Sequence, residues 1–586
     1  MMYKATAAVE PYWNYNEHFA IKELSRVFDS DSTPSTRAIL AQVKNENDMQ
    51  AVFDAITYAK GASILRMLEN TIGEEKFRQA VSNYLNKFAY SNAVASDLWT
   101  EFDRVANLEV SVATMMDAWI SKEGFPVITV NSGGANKFTL TQERFFKDSS
   151  SASSSSAFQW YIPVTYRVID PTNAGMTNPV GRANFGTNYT SVIVSEYNAG
   201  NLIKFNVDQM GVYIVNYPLS MWDSFINALN DEQSAVWGQL STLDRSNLLS
   251  DAFYLARSNR LSYDYTLRLA QFLRYERTFV VWQTAANMLR YVRTFAITQD
   301  RGIAYNQWLL KSVIADMYNR LGWTASPGED PNQRQLRALI LDLTCEAGHE
   351  ECLKNANEKF NQYRDQINNG RRSKREDAGV VLYDPDTINI IFYHTMRTVD
   401  GAQDDKYDFL MSQYKSASST NEKMRYLRAM SAVQSPSLLK SLVTNSLNTD
   451  FLRAQDYFSF LSYISANPVG LDIAWESYRD NFDLLQTRFG LDNSDLGAAI
   501  YRFAFYFNTP ERRQEVVDFY AKYPNAGASE LYRAQALELI DANVQWSSKF
   551  YNKVISFFTK ACDALVCPWS VYRLTDSVTP TELHID

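Results

Sequence analysis

The chain reads GFPVITV at residues 124–130, and the spacing of its apolar residues changes at this stretch. Upstream, over residues 61–85, apolar residues recur three and four positions apart around Gly73, which predicts two amphipathic helices. Downstream, short runs such as 160–168 and 203–207 alternate apolar residues with others, which predicts half-buried strands. The stretch therefore marks the change from a helical block to a β-domain.

The pattern changes again near residue 218, after which helical segments of roughly 12–20 residues alternate with short polar breaks. We therefore predict a multidomain, predominantly α protein with a small β-sandwich. Its predicted parts are a helical block over 1–124, the β-sandwich over 125–217, a superhelical array of the HEAT or armadillo type over 218–560, and a tail over 561–586. The concave face of such an array either binds a partner or has a purely structural role.

Composition excludes several classes of function. Lys and Arg number 57 against 66 Asp and Glu, and the resulting net charge of −9 argues against a nucleic-acid-binding protein. No apolar run approaches the roughly 18 residues that a bilayer-spanning helix needs, so we expect no membrane span. The hydrophobic fraction of 46% is enough to build large folded cores.

The histidines are too few and too widely spaced for a zinc site of the H-E-x-x-H type. They are His18, His349, His394 and His584. The dipeptide that begins at His349 matches the start of that motif, but Leu353 stands where the second histidine is required. Phosphate-binding loops and nucleophile elbows are also absent from the sequence. We predict no metal ligand and no cofactor-binding residue in this chain.

Several motifs, in the same order along the chain, resemble the aminopeptidase N family of zinc metallopeptidases. They are FDAITYAKGAS at 53–63, GEEKF at 73–77, DLW at 97–99, GFP at 124–126, WYIPVTY at 160–166, NVDQMG at 206–211 with VNY at 215–217, and the segment from DR at 244–245 to DAF at 251–253. The resemblance covers roughly residues 5–560. It implies that the chain is the C-terminal two-thirds of such an enzyme, with 1–124 as the helical end of a thermolysin-like domain.

The resemblance assigns one catalytic position to this chain. Tyr58 matches the family tyrosine that hydrogen-bonds the oxyanion of the tetrahedral intermediate. The family's zinc ligands and general base belong to a region that this sequence does not match, so zinc is implied for the intact enzyme only. Ile214 stands where the family usually has arginine.

Two functions therefore remain open. The first is the C-terminal portion of an aminopeptidase that removes N-terminal residues from peptides, inactive as this chain alone. The alternative is a non-catalytic binding or scaffold protein, a pseudopeptidase that presents its helical domain to a peptide or protein. A third interpretation is a gene fragment without a function of its own. The sequence assigns no oligomeric state.

The resemblance also implies that Cys345 pairs with Cys352, as in cell-surface members of the family, and this indicates an extracellular or secretory location. Cys562 and Cys567 are candidates for a second pair, and the other possibility for both pairs is free thiols in a cytosolic chain. Asn188 begins the one glycosylation sequon.

The tail resembles the opening of a further family unit, which suggests a tandem arrangement. We also expect 1–124 to expose an apolar face and to be the most protease-sensitive block.

Overall fold

The computed structural model describes residues 2–44, 48–49, 52–134, 136–148, 159–173, 178–186, 189–194, 197–198, 200–296, 302–368 and 384–564. The chain divides into two compact units. The first unit contains Met1–Phe295 and Phe489–Val554, and the second contains Ala296–Arg488 and Ile555–Asp586.

The first unit begins with a helical block. Its helices are α1 (Met2–Val9), α2 (Ser25–Ser30), α3 (Gly61–Ile72), α4 (Glu74–Lys87), α5 (Ala95–Ala106) and α6 (Val112–Ser121). Helices α3 and α4 are the predicted pair, and Gly73 separates them with a φ of +91° that favours glycine. Residues 31–44 form turns, bends and irregular segments, so the block is not helical throughout.

Two small sheets follow the helical block. Their strands are β1 (Pro126–Ser132), β2 (Lys137–Arg144), β3 (Ile162–Ile169), β4 (Gly181–Phe185), β5 (Tyr189–Ile193), β6 (Leu202–Phe205) and β7 (Ile214–Asn216). One sheet has the order β5-β2-β1-β7 and the other β4-β3-β6. The β1–β7 pair is parallel and the remaining pairs are antiparallel.

Aromatic residues fill the space between the two sheets. Phe138 of β2 contacts Phe205 of β6, with ring centroids 6.0 Å apart and planes at 76°. Val207, which the alternating pattern placed on a strand, lies instead in a tight helical turn. Asn206 and Asp208 on either side of it have φ values of 58° and 55°, and this left-handed backbone ends the strand.

Helices α7 to α10 follow the sheets. They are α7 (Leu219–Leu229), α8 (Thr242–Arg257), α9 (Tyr263–Ala270) and α10 (Phe279–Ala296). A capping box begins α8, in which Ser241 Oγ accepts from Asp244 N at 3.0 Å and Asp244 Oδ2 accepts from Ser241 N at 3.3 Å.

The second unit is helical in its described residues. Its helices are α11 (Gly302–Trp308), α12 (Ala315–Leu321), α13 (Pro331–Glu346), α14 (Glu350–Asn368), α15 (Ile388–Arg397), α16 (Gln403–Ser416), α17 (Thr420–Met430), α18 (Pro436–Ser446), α19 (Tyr457–Ser465), α20 (Pro468–Asp480) and α21 (Phe482–Phe489). Proline at the first turn of α13, α18 and α20 suits helix starts, where the missing N–H has no helical partner.

The remaining helices are α22 (Asp495–Ala504), α23 (Pro510–Lys522), α24 (Glu530–Lys549) and α25 (Tyr551–Ala564). The multidomain, predominantly α fold is confirmed. Among the described helices, none combines the length and the apolar character that crossing a membrane requires.

Candidate functional site

Tyr58 lies on a π-helical turn over Ile56–Lys60 that continues into α3. Its side chain is 58% exposed, whereas those of Ile56 and Ala59 in the same turn are buried. A π-helical turn fits an extra residue into the helical ladder, and such turns are frequent at functional sites. The phenol of Tyr58 is therefore accessible to another molecule.

A carboxylate and a guanidinium hold the start of this turn. Asp54 Oδ1 accepts from the backbone N–H groups of Ile56 at 2.9 Å and Thr57 at 3.0 Å. Arg37 donates to both carboxylate oxygens of Asp54, at 2.6 and 3.2 Å, in a bidentate pair. It also donates to Thr57 Oγ1 at 2.8 Å. These bonds fix the backbone immediately before Tyr58.

A buried ion pair holds the end of the turn. Lys60 Nζ lies 2.9 Å from Asp31 Oδ2, and both side chains are 0% exposed. Lys60 also donates to the carbonyl of Gly124 at 2.9 Å, and Asp31 Oδ1 accepts from Thr36 Oγ1 at 2.8 Å and from Gly124 N at 3.0 Å. The pair thus ties the turn to the GFP stretch from which β1 begins.

Large exposed apolar side chains are frequent in the chain up to the Tyr58 turn. The exposed apolar set consists of Met2, Val9, Tyr12, Trp13, Leu40, Val43, Met49, Phe53 and Tyr58. Phe53 and Tyr58 themselves are in contact, with ring centroids 6.3 Å apart. Large exposed apolar side chains such as these favour association with other molecules.

The described residues form no group that fits a zinc ion. Across the described residues, no three His, Cys, Asp or Glu side chains are grouped as metal ligands would be. His18 is 2% exposed and lies between the rings of Tyr15 and Phe279, at centroid distances of 5.2 and 5.4 Å.

The two described histidines of the second unit, His349 and His394, have structural partners. His394 Nε2 lies 2.8 Å from Asp342 Oδ1, and burial lowers the pKa of the imidazole. His349 Nδ1 accepts from the backbone N–H of Cys352 at 3.4 Å in the first turn of α14, and burial lowers its pKa as well.

The structure contains a disulfide between Cys345 and Cys352, with the Cα atoms 5.2 Å apart. Ile214, the departure from the family arginine, is fully buried on β7. Asn188, Cys567, His584 and the resembling part of the tail lie outside the described residues, as does the side chain of Cys562.

Sequence reasoning missed the residues that hold the Tyr58 turn. Lys60 stands within the quoted FDAITYAKGAS motif, and a lysine among apolar helix positions is the one local signal of a buried charge. Arg37 and Asp31 lie in a segment whose apolar residues show no regular spacing. Arg37 pairs with Asp54, 17 positions away, and Asp31 pairs with Lys60, 29 positions away.

Comparison with known proteins identifies the same architecture. A model of the peptidase family M1 domain matches residues 1–119. A model of the ERAP1-like C-terminal domain matches residues 202–542.

Curated relatives match almost the whole chain. Glutamyl aminopeptidase from Homo sapiens is 29% identical, and the match covers 94% of this chain and 54% of that protein. Glutamyl aminopeptidase from Mus musculus is 31% identical, and the match covers 92% of this chain and 54% of that protein. The thyrotropin-releasing hormone-degrading ectoenzyme of Rattus norvegicus is 27% identical, and the match covers 94% of this chain and 51% of that protein.

The chain thus spans about half the length of the curated relatives it matches, rather than the predicted two-thirds. The predicted resemblance itself is confirmed. Because the helical-domain model alone covers more than half of the residues, the chain belongs to the M1 peptidase family whose members carry an ERAP1-like C-terminal domain.

Proposed function

We propose that the chain is the C-terminal portion of a zinc-dependent aminopeptidase that removes N-terminal residues from peptides, and that it is inactive by itself. The observation that carries the proposal is the placement of Tyr58, an exposed phenol on a π-helical turn that is fixed at both ends. A phenol held in this way can donate a hydrogen bond to an oxygen on which negative charge develops. The chain's own contribution to catalysis is therefore one positioned donor.

The direct test of inactivity is an assay of this chain with glutamyl and alanyl p-nitroanilides in the presence of added zinc. The names of the relatives make the glutamyl substrate the first choice. We expect no release of nitroaniline, because the described residues group no metal ligands. Turnover that persists in the purified chain would contradict this part of the proposal.

The role of Tyr58 is tested in a longer polypeptide in which an H-E-x-x-H region precedes this chain. The Tyr58→Phe variant is expected to lower kcat by roughly 100- to 1000-fold with little change in KM, as for the loss of one oxyanion donor. Tyr90→Phe is the matched control, because Tyr90 is also exposed and lies outside the turn. Equal activity of the Tyr58 variant and the control would refute the role.

The second candidate is a pseudopeptidase that binds peptides without cleaving them. Saturable binding of peptides to the purified chain, unchanged by Tyr58→Phe, would support this function over the first.

We infer an extracellular or secretory location for the protein. The Cys345–Cys352 disulfide supports this location, since such bonds persist in oxidising compartments. A rat relative is named an ectoenzyme. Thiol labelling of protein from secretory and cytosolic expression should find the two cysteines protected only in the former.

A further inference from the structure

The turn over residues 206–209, between β6 and β7, has an unusual backbone. Asn206, Asp208 and Gln209 have φ values of 58°, 55° and 49°, in the left-handed region that residues with a Cβ atom adopt at a cost. Such a backbone persists where surrounding contacts impose it, and it is frequent at sites whose geometry serves a function. This left-handed turn belongs to the NVDQMG motif, to which the proposed function assigns no role.

Side chains of the strand region and of α8 hold the left-handed turn. Asn206 Oδ1 accepts from Gly211 N at 2.8 Å. Asp208 N donates to Asp244 Oδ1 at 2.8 Å, and Asp208 Oδ1 accepts from Ser241 Oγ at 2.5 Å. Because Ser241 and Asp244 form the capping box that begins α8, the turn is fixed to that helix as well as to its own strands.

The left-handed turn accepts hydrogen bonds from Arg66 of α3. Arg66 Nη1 donates to the carbonyl of Gln209 at 2.6 Å, and Nη2 donates to the carbonyl of Asp208 at 3.3 Å. In an extended strand the carbonyls of neighbouring residues point to opposite sides, so that one guanidinium does not reach both. The left-handed backbone brings both carbonyls within reach of the planar fork of one arginine.

Partial burial strengthens this contact. The guanidinium lies over the ring of Phe19, 5.1 Å from its centroid, and Phe19 is itself 7% exposed. Burial lowers the pKa of Arg66 to about 10, so the group remains charged at neutral pH. Hydrogen bonds from a charged donor are stronger where less water competes for them. Arg66 is therefore a firm anchor for α3.

Arg66 and Lys60 anchor one continuous helix at two points. The π-helical turn that carries Tyr58 runs directly into α3, and Arg66 follows Tyr58 by eight positions, about two helical turns. Lys60 holds the start of α3 at the carbonyl of Gly124. A single anchor leaves a helix free to tilt and rotate, whereas two anchors fix both its direction and its rotation. The exposed phenol of Tyr58 projects from this helix, so its position depends on both anchors.

We propose that Arg66 is a positioning residue for the Tyr58 phenol, and that the left-handed turn is the fixed point to which Arg66 holds α3. The inference rests on the proposed function, in which Tyr58 donates a hydrogen bond to an oxyanion. It gives the strand region of the chain a part in the reaction without contact with the substrate, because a small displacement of a catalytic donor is enough to slow the reaction.

Hydrogen–deuterium exchange of the purified chain tests the physical connection. Arg66→Met should raise the exchange rates of the amides of Ile56–Lys60 severalfold, because the helix loses its second anchor. Arg182→Met is the matched control, since Arg182 of β4 also donates to α3, to Asn70 Oδ1 at 3.2 Å, but through an exposed bond. Wild-type rates over Ile56–Lys60 in Arg66→Met would overturn the proposal.

Arg66→Lys keeps the test valid if Arg66→Met fails to fold. The lysine ammonium retains the charge but lacks the planar fork that reaches two carbonyls. We expect exchange rates between those of wild type and Arg66→Met, at a thermal midpoint close to that of wild type. Exchange as slow as in wild type would contradict the need for a planar fork at this position.

Two variants of Asp208 test the left-handed turn itself. Asp208→Asn and Asp208→Val both remove the charge, but asparagine tolerates a positive φ and its side-chain oxygen still accepts from Ser241, whereas valine is β-branched and resists this backbone. We expect Asp208→Asn to exchange like wild type over Ile56–Lys60 and Asp208→Val to resemble Arg66→Met. Equal rates in the two variants would show that the left-handed backbone does not hold α3.

Kinetics of the longer polypeptide with an H-E-x-x-H region test the catalytic consequence. Arg66→Met is expected to lower kcat about tenfold or more with little change in KM, because it displaces a positioned donor. In the Tyr58→Phe background the same change should lower kcat no further, since no donor remains to be displaced. A purely structural role of Arg66 would lower kcat by the same factor in both backgrounds, and this result would contradict the proposal.

The two sets of measurements separate this inference from the proposed function. If Tyr58→Phe lowers kcat but Arg66→Met does not, the proposed function stands and the positioning role is overturned. If Tyr58→Phe leaves kcat unchanged, the proposed function fails, and the catalytic role of Arg66 fails with it even where the exchange rates of Ile56–Lys60 change.

Discussion

The ion pair of Lys60 and Asp31 is the residue-scale feature on which the Tyr58 turn depends most. Both side chains are fully buried, and each charge is offset chiefly by the other and by local hydrogen bonds. Lys60→Met leaves the Asp31 carboxylate buried without its counter-charge. We expect a loss of about 3–5 kcal/mol in the free energy of unfolding, measured by urea denaturation of the first unit.

The control for this prediction is the exposed pair of Arg78 and Glu75 on α4, whose side chains are 71% and 79% exposed. Arg78→Met should leave the unfolding midpoint unchanged, because exposed pairs contribute little. The double variant Lys60→Met with Asp31→Leu should recover part of the loss. Equal midpoints for Lys60→Met and Arg78→Met would contradict the prediction.

Lys147 gives a pH-dependent prediction. Its folded-state pKa is lowered from 10.5 to about 8, chiefly by burial. Below pH 8 the folded protein therefore bears the cost of a buried charge, and this cost fades as the pH rises through 8 toward 10.5, where the unfolded chain also loses the proton. We expect Lys147→Met to be more stable than wild type at pH 7, by about 1–3 kcal/mol, and the difference to shrink by pH 10.

Urea denaturation of both proteins at several pH values measures this difference directly. Because the other titrating groups are common to both proteins, subtracting the two curves isolates Lys147. A stability difference that is constant from pH 7 to 10 would argue against a lowered pKa.

At the scale of elements, the Cys345–Cys352 disulfide connects the end of α13 to the start of α14 across seven positions. Closing a loop of this length lowers the entropy of the unfolded chain, which corresponds to about 2–3 kcal/mol of stabilisation. The variant with both cysteines changed to alanine should lose this amount in the unfolding of the second unit.

Reduction of the wild-type protein serves as the matched comparison, since it opens the same loop without changing the sequence. We expect reductant to lower the wild-type unfolding midpoint toward that of the double variant and to leave the double variant itself unchanged. A wild-type midpoint that is insensitive to complete reduction would show that the bond does not stabilise the helix pair.

The elements themselves were largely predictable. The three-to-four spacing over 61–85 correctly predicted α3 and α4, because each amphipathic helix buries one side. The alternation over 160–168 correctly predicted β3. The prediction extended too far at Val207, where the left-handed residues on either side prevent continuation of β6. Alternation of side chains does not report φ, so the pattern alone does not locate such an end.

At the scale of the whole molecule, the side chains of the exposed apolar set offer apolar area to which hydrophobic compounds can bind. We expect the purified protein to enhance the fluorescence of 1-anilinonaphthalene-8-sulfonate. The double variant Val9→Glu with Phe53→Glu should lower this enhancement at least twofold, because both side chains belong to the set and are 76% and 63% exposed.

Leu484→Glu in the second unit is the control, because Leu484 is 45% exposed and does not belong to the set. Its fluorescence enhancement should match that of wild type. The same reduction in both variants would assign dye binding to general apolar exposure rather than to this surface. The protease sensitivity that we expect of residues 1–124 also stays a prediction.

The sequence by itself determined the order of helical and β regions, the family, and the lack of an H-E-x-x-H motif, because hydrophobic periods and motifs are local properties of a chain. Only the tertiary structure decided that Tyr58 is exposed on a π-helical turn, that Asp31 and Lys60 meet in the core, and that Arg66 reaches the left-handed turn over residues 206–209. Buried charges require partners that are distant in sequence, and only the packing of several elements brings such partners within reach of each other.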